Sequence, residues 1–102
     1  MTYQVRFRKE AERDIEDAAQ WYETQSQGLG HNYLDQISEA VAKIAENPLQ
    51  YPVVHKGIRR VLINKFPFGI YFRLMEDTVL IFAVLHASRD PNIWKQRPSF
   101  KH

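Results

Sequence analysis

Seven apolar residues in a row, Val79-Leu80-Ile81-Phe82-Ala83-Val84-Leu85, constrain this chain more than any other stretch. The run is far shorter than the roughly 20 apolar residues of a membrane span, and its β-branched and aromatic content suits a strand. It reads as a buried strand. Directly after it come His86-Ala87-Ser88-Arg89-Asp90-Pro91, with Trp94 and Arg97 further on. Polar, charged and aromatic side chains at the exit of a rigid strand are well placed for binding or chemistry.

With 102 residues, 44% of them hydrophobic and 25% charged, the chain has material for one core and not two. Residues 1–98 are expected to form a single domain and 99–102 a flexible tail. The first ten residues hold no apolar stretch of signal-peptide length, and no later segment is long enough to span a membrane, so a cytoplasmic protein without membrane attachment is expected. The absence of cysteine removes disulfides, thiolate nucleophiles and thiolate metal sites together. Charge is unevenly spread: residues 1–50 carry five Lys or Arg against nine Asp or Glu, and residues 51–102 carry nine against three. A basic half suits an acidic partner, either nucleic acid or an acidic protein segment, although a solvated basic surface is an equally simple reading.

Periodicity supplies the other elements. Tyr3, Val5 and Phe7 alternate with Gln4, Arg6 and Arg8 as in a half-buried strand. From Lys9 to about Gln25, Ala11, Ile15, Ala18 and Tyr22 fall at helical spacing, with Glu10, Glu12, Asp14, Glu16 and Asp17 gathered toward the positive end of the helix dipole. Gly28 and Gly30 interrupt the pattern, and a second helix shows Leu34, Ile37, Val41 and Ile44 on one face until Asn47-Pro48 stops it. Two helices with so short a joint form an antiparallel hairpin, and Trp21 and Tyr22 are expected to pack within it. Ile58–Ile63, Phe68–Leu74 and Thr78–Leu85 then read as three strands of an antiparallel meander, with a tight turn at Glu76-Asp77. Asp90 before Pro91 opens a final short helix through Trp94. The predicted fold is α+β, β-α-α-β-β-β-α, with a helical hairpin on one face of a small, mainly antiparallel four-stranded sheet.

On the second meander strand, Phe68, Ile70, Phe72 and Leu74 share one face, while Gly69, Tyr71 and Arg73 share the other. With the apolar set against the hairpin, the opposite face is free to gather Arg73, Tyr71, one of Arg59 and Arg60, His86 and Arg89 into a basic, aromatic concavity able to grip phosphates or an acidic partner. Each residue has a plainer reading as well. His86 is a candidate acid or base but also a candidate structural histidine; Arg89 either stabilises negative charge or pairs with Asp90. Asp90 most simply caps the last helix, and Trp94 packs. His31, His55 and His102 are scattered without metal-ligand spacing, and there is neither a phosphate-binding glycine loop nor a nucleophile elbow. No cofactor or metal is expected.

The sequence of pieces Gly57-Ile58-Arg59-Arg60-Val61-Leu62-Ile63, Phe68-Gly69-Ile70-Tyr71-Phe72-Arg73-Leu74 and His86-Ala87-Ser88-Arg89-Asp90-Pro91, with Trp94 and Arg97, resembles the RelE/ParE superfamily of bacterial toxins. The ending is most similar to its ParE-like, plasmid-stabilisation branch. Phe7, Ala11, Asp14, Ile15, Trp21-Tyr22 and Asn47-Pro48 extend the likeness over nearly the whole chain. The resemblance implies the same fold, and a growth-inhibiting toxin of a type II toxin-antitoxin system, neutralised by a cognate antitoxin in a higher-order complex. Two activities occur in the superfamily: ribosome-dependent cleavage of mRNA in the RelE-like branch and inhibition of DNA gyrase by binding in the ParE-like branch.

Metal-free RNA cleavage requires a base for the 2′-hydroxyl, an acid for the leaving oxygen and cations for the phosphorane. Aligned by pattern, Arg60 stands where the nuclease branch has a sheet lysine, but Leu62 replaces a second lysine, Gly69 an arginine, and Trp94 a C-terminal tyrosine. The ribosome-type set is depleted, with Arg60, Arg73, His86 and Arg89 as the weak catalytic candidates that remain. The reading therefore leans to a non-enzymatic toxin that binds a protein such as DNA gyrase; an mRNA endoribonuclease and a non-toxic relic that still binds antitoxin are the alternatives. Arg60, Tyr71, Arg73 and Arg89 are the candidate partner contacts.

Overall fold

The structure, a computed structural model, describes residues 2–88. In chain order the elements are β1 (Gln4–Phe7), α1 (Lys9–Gln25), α2 (Leu29–Glu46), β2 (Val53–His55), β3 (Ile58–Leu62), β4 (Phe68–Met75) and β5 (Thr78–His86), with a short 3-10 turn at Pro48–Gln50. The apolar run becomes β5, which lies between β1 and β4 in a sheet ordered β1-β5-β4-β3-β2. β1 runs parallel to β5 and every other pairing is antiparallel. The fold is thus the α+β arrangement expected, with five strands instead of four. The extra strand is β2, joined to β3 by the two-residue turn Lys56-Gly57, where both residues have positive φ (39° and 81°). Such a turn matches the twist of a hairpin but normally announces itself with Asn or Asp at the first position, so a lysine there concealed the strand. The final helix expected from Asp90, together with Arg89, Trp94, Arg97 and the 99–102 tail, lies outside the described residues.

The α1–α2 hairpin covers one face of the sheet, and a core of Ala11, Tyr33, Ile37, Ile44, Ile70, Phe72, Val79, Ile81 and Val84 fills the interface. Removing these side chains from water is the main source of stability, at roughly 1.5–3 kcal/mol for each large one. The buried stripe of α2 is Tyr33, Ile37, Ala40 and Ile44; Leu34 is 40% exposed and Val41 only partly buried, so the predicted face is rotated by about one residue. Tyr22 packs edge-on against Phe66 and beside Tyr33, as expected of a hairpin aromatic, whereas Trp21 stays 57% exposed with its ring edge-on to Tyr22 at 5.0 Å.

The helices approach closely because position 30 is glycine: a Cβ there would collide with the Ala19 carbonyl oxygen. Beside it, the Glu23 carboxylate accepts hydrogen bonds from the Gly28 and Gly30 amides at 2.9 and 3.0 Å. A helix start leaves its first amides without intrahelical partners and carries partial positive charge, so Glu23 satisfies both needs from the preceding helix.

One irregularity decides where the functional side chains point. Between β4 and β5 the register slips: Phe72 pairs with Ile81, but Tyr71 pairs with Ala83. Phe82 is the extra residue of a β-bulge, and beyond it the alternation of β5 is inverted. Val79 and Ile81 face the hairpin before the bulge, and Val84 faces it afterwards.

Candidate functional site

The sheet face away from the hairpin is built by register. Arg60 pairs with Tyr71 and Ile58 with Arg73; Arg73 and Arg6 in turn both pair with Leu80. Paired residues share a face, so Arg6, Arg60 and Arg73 stand on this side, and the described strand residues there include no aspartate or glutamate. Arg6 was not among the predicted contacts, because its place follows from the parallel β1–β5 pairing, which local periodicity does not reveal. Arg60, and not Arg59, is the arginine of β3 on this face. Arg59 points to the hairpin side and donates to the carbonyl oxygens of Tyr51 and Leu49, a structural task at the end of α2.

The face is not the open concavity expected. Ile58, Tyr71, Phe82, Ala83 and Leu85 form a second buried cluster on it. Tyr71 is 7% exposed, so its ring belongs to this cluster more than to a stacking platform. Arg60 lies beside the bare backbone of Gly69, whose absent side chain leaves room for the arginine stem: a Cβ there would sit 3.3 Å from Arg60 Cδ. Leu62, on the same strand face, is 60% exposed. Arg73 reaches the Lys56 carbonyl oxygen at 3.5 Å. Arg60 and Arg73 flank this cluster by pairing with Tyr71 and Ile58, and its members, at most 7% exposed, are not themselves a contact surface.

His86 lies elsewhere. Through the bulge it pairs with Phe68 on the hairpin side, ring centroids 5.2 Å apart, and the sheet separates it from Arg60 and Arg73. Its Nδ1 accepts the Ser88 backbone amide at 3.0 Å and meets Ser88 Oγ at 2.8 Å. A ring nitrogen that accepts an amide proton carries none itself, so the neutral ring holds its proton on Nε2. The local work of His86 is to tie the turn that follows β5.

Around His86 opens a cavity of about 540 Å3, lined by Asp14, Asp17, Ala18, Trp21 and Tyr22 of α1 and by Phe68 and the Val84–His86 end of β5. The α1 residues recur at the three- and four-residue spacing of one helix face. Asp14 Oδ2 accepts the Val84 amide at 2.9 Å, closing part of the β5 edge that β1 does not reach. Behind the cavity wall, burial pushes the Tyr33 phenol well above its ordinary range, with Tyr22 and Asp14 adding to the effect; burial also raises Tyr22. Among the described residues there is no group of three side chains able to hold a metal, and no helix is long and apolar enough to cross a membrane.

This arrangement of helical hairpin and mixed sheet is shared with solved toxin-antitoxin structures. A chain of the chromosomal ParDE toxin-antitoxin system from P. aeruginosa superposes with a TM-score of 0.70 at 17% identity, over 85% of this chain and 98% of the other. In the intact E. coli RelBE toxin-antitoxin complex, a chain matches with a TM-score of 0.65 at 13% identity, over 85% and 99%. The RelBE2 toxin-antitoxin complex from Mycobacterium tuberculosis gives 0.57 at 20% identity, over 84% and 99%. The fold is therefore the one common to RelE- and ParE-type toxins. Residues 5–91 match the family model for the ParE toxin of the type II toxin-antitoxin system parDE, and the chain belongs to that family. No curated protein sequence matches the chain significantly.

Proposed function

We propose that this chain is the toxin half of a type II toxin-antitoxin pair, that it acts in the cytoplasm by binding a protein target, DNA gyrase being the first candidate, and that a cognate antitoxin neutralises it. The observation that carries the binding reading is the separation of the catalytic candidates. His86 stands on the hairpin side and Arg60 and Arg73 on the other, so the only described imidazole among them cannot meet those cations around one phosphate. General acid-base chemistry on RNA needs such groups within hydrogen-bond reach of one another's substrate atoms. Leu62 and Gly69, in the positions where the nuclease branch places cations, leave an apolar strip instead.

Arg60 beside the exposed Leu62, with Arg6 and Arg73 on the same sheet face, favours an antitoxin segment that brings acidic residues to the arginines and an apolar side chain to Leu62. Induction of the chain alone should arrest growth, and co-expression of an adjacent antitoxin reading frame should restore it. Undisturbed growth with folded protein accumulating would contradict the toxin assignment.

A further inference from the structure

The cavity beside His86 lies across the sheet from the cationic face and has the opposite character. Trp21, Tyr22, Phe68 and His86 supply four rings to its walls, and Asp14 and Asp17 supply negative charge. Asp14 is engaged by the Val84 amide. The exposed Asp17 carboxylate enters no side-chain hydrogen bond or ion pair with another described residue. Trp21, unlike the other large aromatics of the hairpin, is left 57% exposed at the mouth. An indole face next to a carboxylate on one helix face selects a cation, and a flat guanidinium fits better than a compact ammonium because it stacks on the ring while its edge donates to the carboxylate.

The approach to the cavity also fits a polypeptide. β1 covers β5 only as far as Ile81, where the Arg8 amide makes the last bond. Past that point the Val84 amide turns outward to Asp14, and strand parity turns the His86 backbone the same way. An extended segment laid there has main-chain groups to meet and the cavity below it.

We propose that this cavity seats one arginine side chain of a partner polypeptide, with the guanidinium between Asp17 and the Trp21 ring. The site is distinct from the sheet face that serves acidic residues, and it stands whether or not gyrase is the target. Isotope-labelled protein titrated with N-acetyl-arginine methylamide, and in parallel with its neutral isostere N-acetyl-citrulline methylamide, tests this by NMR. The Trp21 indole N–H should shift saturably with the arginine compound, with affinity at least about fivefold above that of the citrulline compound. Asp17→Asn, with its spectrum still dispersed, should abolish that preference, and on the unchanged protein a rise to about 0.5 M salt should erode it as well. Equal response to the two compounds, a silent Trp21, or a preference that survives Asp17→Asn would overturn the proposal.

Discussion

Tyr33 shows most clearly what a single residue contributes here. It is fully buried among Tyr22, Phe66 and Phe68, and its hydroxyl meets no hydrogen-bonding partner among the described residues. A buried hydroxyl without a partner costs about 1–3 kcal/mol, so Tyr33→Phe should leave urea stability at neutral pH unchanged or raise it by about 1 kcal/mol. The same burial fixes an alkaline response. Because the folded state holds the phenol proton more tightly than the unfolded chain, this contribution is complete below the unfolded tyrosine value of about 10 and is lost as pH rises above it. Wild-type protein should therefore weaken above about pH 10, and Tyr33→Phe should flatten that decline, which denaturant midpoints measured along a pH series will show. Glu23 is a second case. Glu23→Ala removes the acceptor for the Gly28 and Gly30 amides and should cost about 1–2 kcal/mol by urea denaturation. In the sequence, Gly28 and Gly30 were legible only as breakers; the capping carboxylate seven residues before Gly30 becomes visible once the hairpin brings the helices together.

At the scale of elements, the strands and helices were readable where periodicity was unbroken, as in α1 and β4. They were not readable where tertiary geometry overrode the pattern. The uniform apolar run of β5 gives no alternation to follow, so nothing in it marks Phe82 as a bulge, and the bulge is what carries His86 to the hairpin side. The rotated stripe of α2 has a similar cause: Leu34 and Tyr33 are both apolar enough to be buried, and the close contact at Gly30 decides between them. Asp14 reports on the same end of the sheet. It takes the Val84 amide on a β5 edge that no strand covers, so Asp14→Ala should lower stability by about 1.5–3 kcal/mol and speed hydrogen exchange at Val84. Asp14→Asn, which keeps an acceptor oxygen, should recover part of both; unchanged exchange at Val84 would show that the bond adds nothing.

For the whole molecule, the family and fold were legible because the order of pieces along the chain is itself a signature, and of the charge layout the placement of Arg60 and Arg73 was legible while that of Arg6 and His86 was not. The sheet separates a cationic face of Arg6, Arg60 and Arg73 from an acidic, aromatic cavity on α1. Antitoxin binding through the cationic face should weaken steeply with salt, and Arg60→Glu with Arg73→Glu should weaken it at low salt while leaving the thermal midpoint nearly unchanged, as calorimetry can measure. Salt-independent affinity would assign the interface to apolar contacts. The proposed function has this member of the ParE toxin family act by binding a protein and not by cutting RNA. The most direct measurement places one folded preparation in parallel with purified gyrase, DNA and ATP, and with translating ribosomes on a defined message. Gyrase inhibition with trapped cleavage complexes and an intact message is the expected outcome; truncated message with unaffected gyrase would overturn the binding mode.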